Sequence, residues 1–197
     1  MGKIPKRPSR FIIGLTGIFG SGKSTVAKIF RSQGAHVIDC DQLVREAYKR
    51  NAALAKRVQK LFRLKRLDKS EIARSVFQNQ TKRKKLEALI HPYVFKRIVQ
   101  KLRLIQYGVV VVEMPLLFET GFERQLDAVI VVAGRKSVIQ KRLRRKGFSD
   151  REIQSRWQAQ WPLQGKVKRA DFVIENSGGL SDAKKQVLKI LRKLKAK

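Results

Sequence analysis

The residues best placed to do chemistry in this sequence form one glycine-rich run that ends in lysine and serine. The run is Gly17, Ile18, Phe19, Gly20, Ser21, Gly22, Lys23 and Ser24, and it matches the pattern G-x-x-x-x-G-K-[S/T]. Glycines let backbone N–H groups turn toward an anion, and the positive end of the following helix adds to the attraction. The run predicts a loop for nucleotide phosphates, with Lys23 at the β- and γ-phosphates and the Ser24 hydroxyl bound directly to Mg²⁺. The alternative is a glycine-rich turn that binds nothing.

Two carboxylates at the end of a short apolar stretch, Asp39 and Asp41, are the next candidates for chemistry. The carboxyl end of a strand in an open parallel sheet faces the same crevice as a phosphate loop in that sheet. A carboxylate there can take a proton from an attacking hydroxyl, orient that hydroxyl, or hold Mg²⁺ through water. The spacing does not separate these roles, and Asp41 could instead cap a helix that begins at Gln42.

Five short apolar runs, rich in β-branched residues, predict the strands that position these groups. They are residues 11–16, 35–39, 109–113, 128–133 and 171–175. Nearly continuous apolar runs of this length are typical of a parallel sheet that is buried on both faces and connected by helices. The predicted fold class is therefore α/β, with a doubly wound five-stranded parallel sheet.

Two segments interrupt this pattern. Residues 42–106 are basic and lack strand signals, and their helical spacing predicts a helical insertion; residues 135–168 predict a lid. The remaining segments, 11–41, 107–134 and 169–197, form the predicted nucleotide-binding core, after a basic tail over 1–10. Trp157 and Trp161, four residues apart, predict a helical stripe that serves packing or lid closure; stacking on a base is the alternative.

The composition limits the class of protein. A chain of 197 residues with 43% apolar residues can form an α/β core plus an insertion, and no apolar run approaches the roughly 18 residues of a membrane span. A single cysteine, Cys40, excludes an internal disulfide framework and favours a reducing compartment. The first ten residues do not resemble a secretory signal. We expect a cytoplasmic protein without a membrane partner.

The charge is the unusual property of this chain. It holds 46 Lys and Arg against 15 Asp and Glu, a formal net charge of +31 that is spread along the sequence. Such a surface attracts polyanions through salt-sensitive contacts. No RNP or GXXG signature accompanies it, so we expect weak polyanion binding and no dedicated nucleic-acid partner. An RNA- or ribosome-associated P-loop protein that binds ATP is the alternative.

Further blocks of this sequence resemble one known family, the dephospho-coenzyme A kinases. The blocks lie at 14–26, 37–41, 90–92 (Ile-His-Pro), 114–119 (with Pro-Leu-Leu-Phe-Glu), 159–162 and 170–178, in family order. They span about residues 11–180. The resemblance implies a P-loop kinase that transfers the γ-phosphoryl group of ATP to the ribose 3′-hydroxyl of dephospho-coenzyme A, the last step of coenzyme A synthesis. A nucleoside or nucleotide kinase of the same fold is the rival, and the Pro-Leu-Leu-Phe-Glu block argues against it.

The resemblance also implies roles for individual residues. It makes ATP, dephospho-coenzyme A and Mg²⁺ the expected ligands, and residues 42–106 the coenzyme A-binding domain. Separately, we expect a monomer or weak oligomer. The residues concerned are Asp41 as general base; Asp39, His91, Pro115, Leu116 and Glu119 near the acceptor; Thr25 near the α-phosphate; Asn176 and Gly178 at the adenine; Glu113 at Mg²⁺ through water; and Arg142 and Arg145 as lid cations.

Some of these residues have structural alternatives. His91 could cap or pack a helix end, Arg142 and Arg145 could be solvated surface charges, and Glu113 and Glu119 could be purely structural. The sequence also departs from the family pattern. Ile18 stands where glycine is common, and Glu113 stands where the family usually has aspartate.

Overall fold

A computed structural model describes residues 4 and 9–195, excluding the side chains of Lys69 and Lys195. Most of the basic tail predicted over residues 1–10 therefore lies outside the described residues. The described residues divide into two compact units. One unit contains residues 39–105, and the other contains residues 9–38 and 106–195.

Five strands form one sheet, which confirms the predicted fold class. They are β1 Arg10–Thr16, β2 His36–Asp39, β3 Gly108–Glu113, β4 Ala128–Ala133 and β5 Phe172–Glu175. The order across the sheet is β2-β3-β1-β4-β5. β1 pairs in parallel with β3 and with β4, and β4 pairs in parallel with β5. β1 thus lies at the centre, where the strand order reverses, and ligands of such sheets bind beside the carboxyl ends of the strands at that point.

Helices connect and flank these strands. They are α1 Lys23–Ser32, α2 Cys40–Arg50, α3 Ala52–Phe62, α4 Lys69–Gln78, α5 Gln80–Leu104, α6 Lys136–Arg144, α7 Asp150–Gln158, α8 Leu163–Lys168 and α9 Leu180–Lys195, with a 3-10 helix over Phe122–Gln125. Polar residues fix several helix starts, because the side chains of Asn51, Asn79 and Ser149 accept hydrogen bonds from the first-turn backbone. None of the described helices is long and apolar enough to cross a membrane.

The core of the sheet unit lies between the sheet and the helices α1 and α9. Ile13, Leu15 and Ile130 of the sheet pack with Phe30 of α1 and Val187 of α9, and all five are buried. Along α9, Val187 faces the sheet, whereas four lysines are exposed: Lys184, Lys185, Lys189 and Lys193.

The unit formed by residues 39–105 has a core of its own. Leu54 and Val58 of α3 pack with Ile72 and Val76 of α4 and with Ala47 of α2. The predicted helical insertion over 42–106 is thus built from α2 to α5.

A third apolar cluster lies in the sheet unit, within the segment predicted as a lid. Ile139 and Leu143 of α6 pack with Ile153 and Trp157 of α7, and the side chain of Ile18 joins them. The predicted helical stripe of Trp157 and Trp161 is wrong, because α7 ends at Gln158 and Trp161 lies in the connection to α8. The ring of Trp161 instead stacks on Phe118, with ring centroids 6.1 Å apart.

Candidate active site

The phosphate loop, residues 17–24, connects β1 to α1 and needs its glycines. Gly17, Gly20 and Gly22 have φ of 151°, 80° and 94°, which side chains disfavour. A Cβ on Gly17 would lie 2.4 Å from the backbone oxygen of Val132, and one on Gly22 would lie 2.1 Å from the Asn176 side-chain nitrogen. The loop therefore forms a concave backbone surface at the N-terminus of α1, which is a suitable site for an anion.

Ile18 does not fill this concave surface. Its side chain is 4% exposed and packs into the apolar cluster of α6 and α7. The bulky residue that replaces the usual glycine at this position thus leaves the phosphate side of the loop open.

Lys23 and Ser24 lie at the end of the loop. Lys23 Nζ donates to the carbonyl oxygens of Gly17 and Ile18 at 3.0 and 3.1 Å. Ser24 Oγ donates to Glu113 Oε1 at 2.7 Å, and Glu113, at the end of β3, is 6% exposed. A hydroxyl beside a buried carboxylate is an all-oxygen pair, which suits Mg²⁺ together with the oxygens of a bound phosphate.

A cavity of about 380 Å³ opens beside the phosphate loop. Its walls are formed by Gly20 and Gly22 of the loop, Thr25 of α1, four residues at and just beyond the end of α6 (Arg142, Leu143, Arg145 and Lys146), and three residues after β5 (Asn176, Gly178 and Leu180). The structure thus brings together the residues predicted for the loop, for the lid cations and for the adenine. Lys146 and Leu180 also line the cavity, although the sequence reasoning did not select them.

Arg142 is held at the wall of this cavity. Its guanidinium donates to the carbonyl oxygens of Asn176 at 2.5 Å, Gly178 at 3.1 Å and Ser177 at 3.5 Å. These contacts do not fit the alternative of a solvated surface charge. Arg145 lines the same cavity but is exposed, so it can reach a ligand.

Asn176 supports the phosphate loop from the opposite side. Its side chain is buried, and its Nδ2 donates to the backbone oxygen of Ser21 at 2.8 Å. Its backbone N–H donates to Ala133 at the end of β4, also at 2.8 Å. Asn176 therefore fixes the position of the loop in addition to lining the cavity.

The two aspartates lie at the start of α2, in the unit of residues 39–105. Asp39 is the N-cap: its carboxylate accepts from the backbone N–H of Gln42 at 2.9 Å and lies 3.5 Å from Arg45. The alternative in which Asp41 caps a helix from Gln42 is therefore wrong, because β2 leads directly into a helix that begins at Cys40. Asp41 lies in the first turn of α2 with an exposed side chain.

His91 lies in the interior of α5. The helix continues through Pro92 to Leu104, so the alternative of a cap or helix end at His91 is wrong. The imidazole is half-buried, with its ring centroid 5.6 Å from that of Phe95, and burial lowers its pKa. The side chain is neutral at neutral pH.

The loop after β3 carries Pro115, Leu116 and Glu119, which the resemblance placed near the acceptor. Glu119 Oε1 accepts from Lys166 Nζ and from the backbone N–H of Trp161, each at 2.8 Å. Lys166 is completely buried and also donates to the Pro115 carbonyl oxygen at 2.9 Å. Burial lowers the pKa of Lys166, and Glu119 offsets part of that shift. One oxygen of Glu119 is thus committed to contacts inside the protein, and Lys166 is a buried polar residue that no sequence pattern indicated.

Comparisons with known proteins agree with this geometry. The family model of dephospho-CoA kinase matches residues 11–182. The chain is 36% identical over 189 residues to the dephospho-CoA kinase of Aquifex aeolicus, covering 92% of this chain and 96% of that protein. It is 38% identical over 196 residues to the enzyme of the same name from Thermus thermophilus, covering 98% and 96%. The crystal structure of TT1252 from Thermus thermophilus, also 38% identical, matches with a TM-score of 0.83 over 96% of this chain and 98% of that one. The chain belongs to the dephospho-CoA kinase family.

Proposed function

We propose that this protein transfers the γ-phosphoryl group of ATP to the ribose 3′-hydroxyl of dephospho-coenzyme A. The observation that carries the proposal is an intact phosphate loop, at the centre of the sheet, in a chain that belongs to the dephospho-CoA kinase family. The two rival functions, a nucleotide kinase and an RNA-associated ATP-binding protein, gain no support from the family to which the chain belongs.

ATP would occupy the phosphate loop and the adjoining cavity. The backbone N–H groups of the loop would surround the β-phosphate, with Thr25 near the α-phosphate and Lys23 moving from the loop carbonyls to the β- and γ-phosphates. The adenine would lie at the far wall, beside residues 176–178 and the guanidinium of Arg142. A wall of this kind, with backbone groups and a planar cation, suits a purine ring.

Mg²⁺ would bind at Ser24 and, through water, at Glu113. Their contact of 2.7 Å places a neutral hydroxyl and a buried carboxylate beside the phosphate loop. Mg²⁺ held by these two residues would supply positive charge for the transferring phosphoryl group.

Asp41 would orient and deprotonate the acceptor hydroxyl, a role that rests on the family motif. The cations that neutralise the transferring group would come from Arg145 and Lys146, which line the cavity and are exposed. Arg142 is less suited to that role than the resemblance implied, because its donors are bonded to three backbone carbonyls.

The helical unit of residues 39–105 would bind the acceptor, with His91 as a neutral hydrogen-bonding side chain. We propose that Pro115 and Leu116, which are partly exposed, also lie near it, while Glu119 shapes their loop from inside. The enzyme would act in the cytoplasm as a monomer or weak oligomer, and its positive charge would attract the phosphate-rich substrates without a dedicated nucleic-acid partner.

The proposal is tested by following the γ-phosphate. With Mg²⁺ and ATP labelled at the γ-position, we expect label in coenzyme A when dephospho-coenzyme A is the acceptor. The matched control is dephospho-coenzyme A that lacks the ribose 3′-hydroxyl, which should accept no label. Label transfer to this analogue, or to water alone, would contradict the proposed reaction.

A further inference from the structure

One short segment contacts both the phosphate loop and the loop after β3. This segment, residues 157–166, runs from the end of α7 into α8, and we name it the strap. At its first end, Trp157 Nε1 donates to the Phe19 carbonyl oxygen at 3.0 Å. Gln160 Oε1 accepts from the Phe19 backbone N–H at 2.8 Å. Both backbone polar groups of Phe19, the third residue of the phosphate loop, are therefore bonded to the strap.

The other end of the strap is bonded to the Pro115–Glu119 loop. Trp161 N–H donates to Glu119, and Lys166 Nζ donates to Glu119 at 2.8 Å and to the Pro115 carbonyl oxygen at 2.9 Å. The rings of Trp161 and Phe118 stack nearly parallel, at 8°. Because Lys166 is completely buried, its two contacts are shielded from water, whereas Trp161 is partly exposed.

The two loops that the strap joins follow neighbouring strands. The phosphate loop follows β1 and the Pro115–Glu119 loop follows β3, and these strands are paired in register from Arg10 with Gly108 to Leu15 with Glu113. Just beyond the paired residues, the Thr16 hydroxyl donates to the Pro115 carbonyl oxygen at 3.2 Å, and the strap adds contacts farther along both loops. Hydrogen bonds to main-chain atoms limit the movement of the two loops relative to each other more than apolar contacts do, because they require a particular distance and angle.

We propose that the strap is a positioning element, which holds the phosphate loop at a fixed distance from the Pro115–Glu119 loop. Lys166 and Gln160 are its positioning residues. Neither residue lines the cavity described for the nucleotide. In phosphoryl transfer, catalysis depends mainly on positioning and electrostatics, so a small displacement of either loop lowers the rate. The effect on turnover rests on the proposed function, whereas the effect on ATP binding does not.

The first test changes the end of the strap at the Pro115–Glu119 loop and measures ATP binding, which depends on the phosphate loop at the other end. Lys166→Met removes the contacts to Glu119 and Pro115 while keeping a long apolar side chain. Without acceptor, we expect calorimetry to give ATP binding about five- to tenfold weaker than in the wild type. Lys168→Met, an exposed lysine in the same helix with the same change of charge, is the matched control. ATP affinity unchanged in a folded Lys166→Met protein would overturn the proposal.

A second variant separates positioning from folding. Glu119→Gln with Lys166→Met removes both charges, so no buried charge stays unpaired. We expect its Tm to return toward that of the wild type while kcat stays at least about tenfold lower. If stability, ATP affinity and kcat all recovered together, the pair would be only structural and the proposal would be wrong.

A third variant tests the end of the strap at the phosphate loop. Gln160→Leu removes the acceptor for the Phe19 N–H, and we expect ATP binding to weaken about as much as in Lys166→Met. In the variant with both changes, ATP binding should weaken by less than the product of the two single fold-changes. The reason is that each change breaks the same connection between the two loops. Fully multiplicative effects would show two independent contacts and would overturn the proposal. If no variant or wild-type protein phosphorylated dephospho-coenzyme A, the proposed function would fail, but the ATP measurements would still decide the role of the strap.

Discussion

Asp39 and Asp41 lie two residues apart but have different surroundings. Asp39 is the N-cap of α2 and contacts Arg45, whereas Asp41 is exposed in the first turn. Spacing alone left open which carboxylate acts as base, and it wrongly allowed Asp41 to be the cap. A group that caps a helix is already bonded to a backbone N–H, which makes Asp39 the weaker candidate for contact with a substrate hydroxyl.

Replacing each aspartate by asparagine tests this assignment. Asp41→Asn should lower kcat by roughly 10²- to 10⁴-fold with ATP affinity nearly intact, because it removes a base and no phosphate contact. Asp39→Asn is the comparison, since asparagine caps a helix about as well as aspartate and should preserve the fold. Both kcat and the ATP Kd are measured for each variant. Substantial turnover by Asp41→Asn would remove Asp41 from the role of base.

At the scale of single elements, the phosphate loop depends on close backbone approach as well as on positive φ. Gly22 and Gly34 have similar φ, 94° and 86°, and differ in their surroundings. A Cβ on Gly22 would lie 2.1 Å from the Asn176 side-chain nitrogen, whereas one on Gly34 would meet no atom within 4 Å. The pair therefore separates conformational strain from steric contact.

Gly22→Ala and Gly34→Ala give the corresponding experiment. Both should lose about 1–2 kcal/mol of stability from left-handed backbone strain. Only Gly22→Ala should also displace Asn176 and the loop, and we expect its ATP binding to fall by at least about tenfold. Urea denaturation and ATP titration measure the two effects. Normal ATP affinity in Gly22→Ala would show that the Asn176 contact does not shape the loop.

The helix α5 contains the half-buried His91, which makes stability depend on pH. Burial lowers its pKa in the folded protein below the usual 6.5, so the unfolded chain binds a proton more readily. The contribution of His91 is fully present above about pH 6.5 and is lost as the pH falls through the folded pKa. We expect His91→Gln to flatten the fall in free energy of unfolding below pH 6.5. An equally steep fall in the His91→Gln variant would contradict this account.

How much of the site the sequence predicts depends on whether the signal is local. The strand predicted over 128–133 matches β4 Ala128–Ala133, and the glycine pattern locates the phosphate loop, because periodicity and φ are properties of neighbouring residues. The contact of Lys166 with Glu119 joins residues far apart in the chain, and one lysine among many carries no signal. The bonds of Arg142 to the carbonyls after β5 likewise depend on packing that only the folded chain shows.

At the scale of the whole molecule, the net charge of +31 should attract polyanions without specificity. Binding to an unstructured RNA or to heparin should then fall steeply between about 50 and 200 mM salt, because it depends on released counterions. Gel shifts over a salt series measure this. Saturable binding to one RNA sequence that persists at physiological salt would instead indicate a dedicated nucleic-acid partner.

The central claim, that this member of the family phosphorylates dephospho-coenzyme A, is tested most directly by comparing acceptors. ADP release from Mg²⁺ and ATP is measured with dephospho-coenzyme A, adenosine, AMP or no acceptor, and the product is identified by mass. We expect ADP release to depend on dephospho-coenzyme A, with coenzyme A formed in equal amount. Equal or faster release with adenosine or AMP, or no stimulation by any acceptor in a folded protein that binds ATP, would contradict the claim.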